Sequence, residues 1–579
     1  PPSRRRGLPA QAPSLQAAQA LMRKCARPKG RAYAMTVHLL TSAKKPLLDF
    51  VRQRLLPLEP CAGHTVLVPV AHETAEDVAQ VLGLVPGDSG FASMPGLHVV
   101  PCGATRLVLV RAETAAVALR ETTTVSDVLV SMPEDVNGGL RRLMGVRTRL
   151  VTTAPLERAP GFLEPDGESW RLRGARKDPE EQQEQQGGGS GASERVLIVG
   201  AGLAGAMTAW ELAQRGSRAV VVDAGLVPGS GASALHAGLI HPHWQASDSP
   251  LFQLTRAGFE AMTEVLRDFP DAFIPEGVVD AASSEEEYEK WREAAASGRP
   301  VHLPGDFASL LTREEASERT GLALSRGGWL YPKAGLVHAG RLARRMLEAA
   351  QAQVLTNMPV SLRRREGLWE AVSAQGVVVA RAPKAVVCVA LATPGVLGLA
   401  RGTMGLSPLY GRISLLRETD LPELRCALTG DGYVARTEGF CAVGATYEPG
   451  EAPGVAVQEA HEHNLSTFDK LTGRRPDVLA AGFYEGVRAV PADRMPLAGR
   501  GWTAAELEGL AFRGVPEARS IPRAPGLWIC AGFGSRGLTW GLACARHVAA
   551  DVTGDVQALP GSLAAKLDPA RFLPKLLAG

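Results

Sequence analysis

The sequence lacks the patterns of metal scaffolds and membrane proteins. Its 579 residues include eight cysteines, and no two of them form a C-x-x-C pair. This spacing argues against zinc sites, iron–sulfur sites and small disulfide scaffolds, and it suits a reducing compartment inside the cell. There is also no run of about 18 apolar residues, so no membrane-spanning segment is predicted.

The chain has almost no excess of charge of either sign. Lys and Arg number 63 and Asp and Glu 60, which gives a net charge of +3. This charge neither identifies a nucleic-acid binder nor forbids one. Hydrophobic residues make up 45% and charged residues 21%, which excludes wholesale disorder. The start at Pro1, with Arg4–Arg6 close behind, fits a fragment or a processed organellar leader, so both the cytoplasm and an organelle such as a chloroplast or mitochondrion stay open.

One composition change divides the chain. Residues 174–194 are polar, rich in Gln and Gly, and contain no apolar residue larger than Ala. They predict a flexible linker between an N-terminal unit, residues 1–173, and a larger unit, residues 195–579. Runs typical of strands and helices alternate in the first unit, which predicts a small α/β domain with a largely parallel sheet and no catalytic cluster. The strand-like runs are 36–40, 65–70, 97–101, 106–110 and 126–132, and the helix-like ones are 46–56 and 73–84.

A dinucleotide-binding pattern opens the larger unit. The apolar run 195–199 is followed by Gly200, Gly202 and Gly205 in a G-x-G-x-x-G turn, and then by a helix-like segment. The second strand-like run carries Asp223 near its end. The glycines allow a tight turn, a close approach of pyrophosphate and close helix packing, and the acid suits a ribose. The pattern predicts a Rossmann-like domain that binds a dinucleotide.

Two further segments favour FAD as that dinucleotide. A loop of small residues follows Asp223, and its backbone amides can wrap a ribityl and pyrophosphate chain. A late strand-like run, 525–532, leads into a Gly-rich helix start whose dipole can face the flavin ring. An NAD-dependent enzyme could carry the same first turn, but no second turn for a nicotinamide cofactor follows. The predicted cofactor residues of these two segments are Gly231, Ala232, Ser233, Gly534, Ser535, Arg536, Gly537 and Leu538.

These motifs make residues 194–579 resemble the D-amino-acid-oxidase-type family of FAD-dependent amine oxidoreductases. The resemblance rests on seven segments in the same order: 200–216, 231–244, 328–347, 431–450, 486–499, 532–538 and 567–577. It implies an FAD-binding domain interleaved with a substrate domain built on an antiparallel sheet, formed by about residues 240–330 and 405–480.

Within this family the chain is most similar to the oxidoreductase part of bifunctional tRNA-modifying proteins. That similarity implies a reaction on the carboxymethylaminomethyl group of a tRNA wobble uridine. A hydride leaves the glycyl carbon, and hydrolysis of the imine gives aminomethyluridine and glyoxylate. Dioxygen or another acceptor would reoxidise the flavin. Two alternatives stay open: an oxidase of a free secondary amine or amino acid, such as glycine or sarcosine, and a non-catalytic FAD-binding structural subunit.

The methyltransferase that such bifunctional proteins carry is not expected here. Residues 1–173 contain no Gly-rich cofactor loop after a first strand. We therefore expect this unit to be truncated, degenerate or unrelated to a methyltransferase. No motif specifies an oligomeric state.

A glycyl carboxylate needs a fixed cation beside the flavin, and the planar guanidinium of Arg matches a carboxylate well. The resemblance makes Arg488 the first candidate. Arg536 is the second, as a contact of flavin or substrate or as a support of its loop. Tyr433 is a weaker candidate for closing over the substrate. No general base is assigned, because amine oxidation needs only a neutral amine and a well-placed C–H bond.

Histidines and basic clusters complete the candidates. His236, His241 and His243 lack carboxylate or Cys partners at ligand spacing, so we interpret them as loop or flavin-flanking residues, with no metal site. Contacts to tRNA phosphates would use basic clusters, although a solvated surface is the better explanation of any single one of them. The clusters are Arg341/Arg344/Arg345, Arg363/Arg364/Arg365, Arg474/Arg475 and Arg571/Lys575.

Overall fold

The computed structural model describes residues 195–579 except 236, 302, 509–514, 556–558 and 578–579, and the backbone of eight strands between residues 36 and 172. The chain divides into two compact units, of which the larger comprises mainly Ala192–Thr553 and Gln557–Gly579. The predicted linker 174–194 and the predicted helices 46–56 and 73–84 lie outside the described residues.

The eight N-terminal strands form one sheet in the order β3-β4-β2-β1-β5-β6-β8-β7. The pairs from β4 through β2, β1 and β5 to β6 are parallel, and β8 pairs antiparallel with β6 and β7. Each of the five predicted strand runs overlaps one of the first five strands. The strands are β1 (Thr36–Leu39), β2 (His64–Val70), β3 (Gly96–Cys102), β4 (Thr105–Arg111), β5 (Val125–Val130), β6 (Met144–Thr152), β7 (Leu163–Asp166) and β8 (Ser169–Leu172).

The larger unit mixes strands and helices along its whole length. Its strands are β9 (Arg195–Val199), β10 (Arg218–Val222), β11 (Gly238–Ile240), β12 (Phe273–Ile274), β13 (Val278–Ala281), β14 (Ser309–Leu311), β15 (Gly328–Tyr331), β16 (Gly335–Val337), β17 (Gln353–Leu355), β18 (Val360–Arg365), β19 (Leu368–Ser373), β20 (Val378–Ala382), β21 (Lys384–Val387), β22 (Leu406–Arg417), β23 (Ala427–Thr429), β24 (Tyr433–Thr437), β25 (Phe440–Gly444), β26 (Glu448–Pro449), β27 (Gly482–Pro491), β28 (Leu497–Arg500) and β29 (Leu527–Ala531). Its helices are α1 (Leu203–Ala213), α2 (Pro250–Val265), α3 (Glu285–Ser297), α4 (Arg313–Thr320), α5 (Ala339–Ala349), α6 (Thr393–Val396), α7 (Val457–Thr472), α8 (Ala504–Leu507), α9 (Gly537–Thr553), α10 (Gly561–Leu567) and α11 (Leu573–Leu577). Of the helices in the described part of the chain, none is both long enough and apolar enough to cross a bilayer.

A six-stranded sheet in the order β17-β10-β9-β21-β29-β28 forms the dinucleotide-binding half of this unit. Its pairs are parallel except β28 with β29. In the central strand β9, Val196 and Ile198 pack into a core with α1, α2, α5 and α9. Leu197 and Val199 point the other way, into a core that contains Trp369 of β19. Burial on both faces explains why this strand is an unbroken apolar run.

A nine-stranded sheet forms the other half. Its order is β14-β15-β13-β23-β24-β25-β22-β26, and β27 pairs with β22 along ten residues. All its pairs are antiparallel except β13 with β23. Along the chain, the strands of this sheet alternate in blocks with the strands of the six-stranded sheet. The interleaved, antiparallel-rich architecture predicted from the resemblance is therefore confirmed. Direct register partners place seven residues in one row across the sheet: Trp329, Asp280, Thr429, Tyr433, Gly444, Ile413 and Tyr484.

Helix α1 packs directly on the turn that precedes it, and Gly205 makes this possible. A Cβ built on Gly205 would lie 1.8 Å from the carbonyl oxygen of Gly200. Any side chain there would push the first turn of α1 away from β9. The third glycine of the motif thus fixes the distance between helix and strand.

We expect Gly205→Ala to lower the free energy of unfolding by more than about 3 kcal/mol, because the clash is with backbone that has little room to move. Gly305→Ala is the matched control, since a Cβ there meets nothing within 4 Å. The control should change the value by less than about 0.5 kcal/mol. Urea denaturation of both variants measures the difference, and equal midpoints would contradict the packing argument.

Candidate active site

A cavity of about 1480 Å³ lies between the six-stranded and the nine-stranded sheet of the larger unit. It is bigger than the roughly 300–1,000 Å³ of a typical small-molecule pocket. Of the residues predicted from the sequence to form the site, Gly205 alone does not line it, because that residue lies behind the turn. The cavity is lined by Gly200, Gly202, Asp223, Gly231, Ala232, Ser233, Tyr433, Arg488, Gly534, Ser535, Arg536, Gly537 and Leu538.

One end of the cavity is built by the turn between β9 and α1. Gly200 has a φ of +108°, and a Cβ there would lie 2.5 Å from the carbonyl oxygen of Cys388. Its amide donates a hydrogen bond of 2.8 Å to Val222 O, which ties the turn to β10. Gly202, Leu203 and Ala204 bring the start of α1 to the cavity wall. The positive end of the helix dipole therefore faces the space that a pyrophosphate requires.

Asp223 follows β10 and organises the same end. Its Oδ1 accepts a hydrogen bond from Gly225 N at 2.7 Å, and its Oδ2 accepts one from Ala201 N at 2.5 Å. The carboxylate is thus held at the cavity wall by two backbone amides. The predicted loop of small residues lies nearby, because Ser233 Oγ accepts from Leu203 N at 3.1 Å.

The loop at Gly231–Ala234 is anchored to the nine-stranded sheet. The Tyr484 hydroxyl of β27 lies 3.0 Å from Gly231 O and 3.2 Å from Ala232 O, and it donates to these carbonyls. This contact joins the small-residue loop of the dinucleotide half to the floor of the other half. It also keeps the backbone of the loop at the cavity surface.

A second helix starts at the cavity on the late strand side. The backbone turns after β29 through Gly532 (φ +71°) and Gly534 (φ +57°) before α9 begins at Gly537. Together with the start of α1 and the Asp223 carboxylate, this arrangement offers two positive helix ends and a ribose acceptor around one long cavity. The residues therefore fit FAD: Gly200, Gly202, Asp223 and Ser233 would hold its adenosine and pyrophosphate, and the α9 start its flavin.

Arg488 projects from β27 onto the floor of the cavity. Its Nη1 atom is buried and has no hydrogen-bond partner among the described residues. The guanidinium lies over Gly411 of β22, where a Cβ would be 2.0 Å from Nη1, and its Cζ is 4.9 Å from the centre of the Tyr447 ring. A half-buried guanidinium at the cavity wall, with one nitrogen left unpaired, suits an anionic ligand such as a carboxylate.

Tyr433 lies beside this guanidinium with a second unused polar atom. Its hydroxyl is buried without a partner among the described residues. Burial raises its pKa far above the usual tyrosine value, while the nearby Arg488 acts in the opposite direction. The hydroxyl therefore stays protonated and can donate a hydrogen bond into the cavity.

Arg536 and two histidines form another wall. Arg536 lies with its Cζ 5.7 Å from the centre of the Trp540 ring, and burial lowers its pKa. Burial lowers the pKa of His241 to about 4, with His243 and Arg536 adding to the effect. Burial, followed by the charge of Arg536, also lowers the pKa of His243 to about 4. Both rings are neutral at pH 7. His236 lies outside the described residues.

Many residues that line the cavity were not assigned from the sequence, and they include polar and aromatic residues on its walls. Asp280, Trp244 and Tyr447 all line the cavity. Trp244 ends one of the motifs that carried the resemblance, and Tyr447 belongs to another, so the motifs contained them without indicating a role. Asp280 is the one charged residue in the apolar strand β13. An acid at such a position is the sequence feature that marks it as a candidate site residue.

Most of the basic clusters predicted to contact tRNA are paired with acids. Arg571 lies 2.7 Å from Asp493 and its side chain is only 11% exposed. Arg364 has no recorded partner among the described residues, and the Lys575 side chain lies outside them. The other pairs are Arg341–Glu438, Arg345–Asp271, Arg363–Glu370, Arg365–Glu366, Arg474–Glu423 and Arg475–Glu462, while Arg344 reaches Pro228 O.

The family model of DAO, the FAD-dependent oxidoreductases, matches residues 195–550. The chain belongs to this family. It is accordingly an oxidoreductase that uses FAD, as predicted from the sequence, and the match covers both the six-stranded and the nine-stranded sheet.

Curated relatives carry a more specific name. The chain is 34% identical over 408 residues to the tRNA 5-methylaminomethyl-2-thiouridine biosynthesis bifunctional protein MnmC of Ralstonia nicotianae, covering 66% of this chain and 60% of that protein. It is 31% identical over 399 residues to the protein of the same name from Burkholderia mallei (strain SAVP1), with the same coverage. The chain thus spans about 60% of the length of these relatives.

Solved structures share the fold of the larger unit. Glycine oxidase from Bacillus cereus aligns over 62% of this chain and 95% of its own, with a TM-score of 0.50 and 20% identity. L-proline dehydrogenase from P. horikoshii aligns over 67% of this chain and 99% of its own, with a TM-score of 0.53 and 16% identity. At these identities the likeness establishes the fold alone.

The buried neutral histidines make stability depend on pH. A histidine in the unfolded chain titrates near 6.5, whereas His241 in the folded chain titrates at about 4. The unfolded state therefore binds more protons between these values, and stability falls as the pH drops from about 6.5 to 4, by up to about 3 kcal/mol for His241. His241→Asn should flatten this part of the Tm-against-pH curve. The exposed His463→Asn serves as the control and should leave the slope unchanged.

Proposed function

We propose that the chain oxidises the carboxymethylaminomethyl group of a tRNA wobble uridine and releases the carboxymethyl carbons as glyoxylate. The proposal applies to this chain the tRNA modification named for its curated relatives. Those relatives align with 66% of this chain. The observation that carries it is the pair of unused donors in the cavity, Arg488 Nη1 and the Tyr433 hydroxyl. An N-linked glycine presents one carboxylate, which both donors can bind.

The reaction converts a secondary amine into a primary amine. When bound, FAD supplies the acceptor for the hydride and its two electrons that leave the carbon between nitrogen and carboxylate. The amine nitrogen loses its proton, so the substrate becomes an imine. Water adds to the C=N bond, the C–N bond breaks, and aminomethyluridine and glyoxylate leave.

The residues of the chain bind this substrate and fix its orientation. Arg488 holds the carboxylate through its guanidinium, and Tyr433 donates a second hydrogen bond to the same group. Arg536 adds positive charge at the start of α9. Because His241 and His243 are neutral at pH 7, they do not repel the amine by charge. No side chain is assigned as an obligatory base.

A second candidate is an oxidase of a free secondary amine or amino acid. Glu286 and Glu287, at the start of α3, line the cavity. Acidic groups there repel phosphates and attract an ammonium group, which favours a small cationic substrate. The pairing of the predicted basic clusters with acids points the same way, because a paired arginine binds phosphate less well.

Nucleoside mass spectrometry on modified tRNA separates the two candidates. Incubation of tRNA carrying carboxymethylaminomethyluridine with the purified protein should convert this nucleoside to aminomethyluridine and form glyoxylate in equal amount. No methylated product is expected, even with S-adenosylmethionine added. Rapid oxidation of sarcosine or glycine with unchanged tRNA would favour the second candidate.

Arg488→Ala should weaken substrate binding and slow anaerobic flavin reduction, while FAD stays bound. Loss of a buried charge-assisted contact costs roughly 2–5 kcal/mol, so kcat/KM should fall about 30-fold or more. Arg488→Lys keeps the charge without the planar fork and should lie between Ala and the parent protein. Arg401→Ala is the control, since its side chain is 89% exposed. Unchanged reduction kinetics in Arg488→Ala would remove this residue from the site.

A further inference from the structure

An exposed aromatic ring lies at the mouth of the cavity. Of the large apolar or aromatic side chains that the structure describes as more than a third exposed, two line the cavity, Met358 and Tyr447. Met358 belongs to the dinucleotide end, since its backbone amide donates to Asp223 O at 2.8 Å. Tyr447 is 58% exposed and lies beside Arg488. Its ring therefore faces both the substrate side of the cavity and the solvent.

The backbone on both sides of this ring is fixed. Thr446 N donates to Arg412 O at 3.0 Å, and Thr446 Oγ1 accepts from Arg412 N at 2.9 Å. Glu448 belongs to β26, which pairs with β22, and its carboxylate accepts from Gly454 N at 2.6 Å. A single exposed aromatic residue is common on protein surfaces. Tyr447 differs from such residues because its position is fixed at a cavity, so a ligand that stacks on it orders little of the chain.

The surroundings of the ring are positively charged. The Arg488 guanidinium lies over one face, with its Cζ 4.9 Å from the ring centre. Arg494, in the turn between β27 and β28, is exposed, and no ion pair or side-chain hydrogen bond to it is recorded among the described residues. Burial lowers the pKa of Arg536, Tyr447 opposes this effect and Arg494 adds to it. The Tyr447 ring and Arg494 thus both lie near the Arg536 guanidinium.

We propose that Tyr447 and Arg494 bind the RNA strand beside the modified uridine. An unpaired base stacks on the face of the Tyr447 ring that Arg488 leaves free, and Arg494 contacts a phosphate of the same strand. Aromatic rings that stack bases and cations that follow the backbone are the two elements with which proteins bind single strands. This inference rests on the proposed function, because it assumes an RNA substrate.

The stacked base is a neighbour of the modified uridine and not the uridine itself. A base on the free face lies about 9 Å or more from the Arg488 guanidinium, because the Tyr447 ring stands between them. The side chain that joins the uridine C5 to its carboxylate spans only about 5 Å, which is too short to pass around the ring. The sugar–phosphate backbone is longer and flexible, so the next nucleotide can reach the free face. A free amino acid has no group to place there.

Binding of unmodified RNA tests this platform without turnover. The probes are an RNA hairpin with an anticodon-type loop, two copies of it that each lack one base beside the wobble position, and a fully paired RNA duplex. Fluorescence anisotropy with the FAD-loaded full chain measures the dissociation constants. We expect one of the abasic hairpins to bind the parent protein about 5-fold or more weakly than the intact hairpin, as for loss of one stacked base.

The variant Tyr447→Leu closes the thermodynamic cycle. It should bind the intact hairpin about 5-fold or more weakly, and it should no longer distinguish this hairpin from the abasic one. Its affinity for the duplex, which offers no unpaired base, should stay unchanged. Tyr447→Trp keeps an aromatic face and should bind the hairpin within about twofold of the parent protein. Phe440→Leu is the control, because it removes an exposed ring that does not line the cavity, and it should change no affinity by more than about twofold.

The phosphate contact is tested by Arg494→Ala. This variant should weaken the intact and abasic hairpins by a similar factor, and it should lower the slope of log affinity against log salt by about one unit. Arg401→Ala is the matched control, since Arg401 is exposed and pairs with Glu451. Flavin absorbance and Tm confirm that each variant is folded.

Three outcomes overturn the platform. They are an abasic penalty that is absent from the parent or equal in the parent and Tyr447→Leu, unchanged hairpin binding in Tyr447→Leu, and an equal loss of duplex binding in that variant. The tRNA assay reports separately on the proposed function. Conversion of modified tRNA by a protein whose hairpin binding does not depend on Tyr447 rejects the platform alone. Binding that depends on Tyr447 while modified tRNA stays unchanged supports the platform and rejects the reaction.

Discussion

The close contact between Gly205 and the Gly200 carbonyl sets the geometry of the dinucleotide end. Because no side chain separates them, α1 begins directly at the end of β9, and its positive end reaches the cavity. The same turn is tied to β10, so Asp223 arrives where its Oδ2 can accept from Ala201 N. One missing Cβ thus aligns a helix end and a carboxylate, the two features that a dinucleotide requires.

The substrate side of the cavity, around Arg488 and Tyr433, differs from the dinucleotide end because it contains buried polar atoms that have no partner in the described part of the chain. Arg488 Nη1 and the Tyr433 hydroxyl are buried and unpaired among the described residues. Folding would favour their removal, since each unpaired buried group costs free energy. The dinucleotide side, in contrast, satisfies Asp223 with two backbone amides before any ligand binds. A ligand that accepts hydrogen bonds from Arg488 and Tyr433 would therefore offset the free energy that these unpaired groups cost the folded protein.

Sequence reasoning found the parts of the site that are contiguous in the chain. The glycine turn, the small-residue loop and the α9 start each form from neighbouring residues, so their spacing shows in the sequence. The position of Asp280 at the cavity depends on the register of β13 with β15, which no local pattern specifies. The ion pairs of the basic clusters are hidden from the sequence for the same reason: the partner of Arg571 is Asp493, and a pair so distant in sequence is visible only after folding.

The charges of the cavity explain how one substrate could be held in one direction. Arg488 and Arg536 make the flavin side of the cavity positive, and His241 and His243 add no charge there because both are neutral at pH 7. A carboxylate is therefore attracted to the side of the cavity that holds the two arginines. This attraction fixes the direction in which an N-linked glycine binds, with its carboxylate toward Arg488 and its amine carbon toward the flavin.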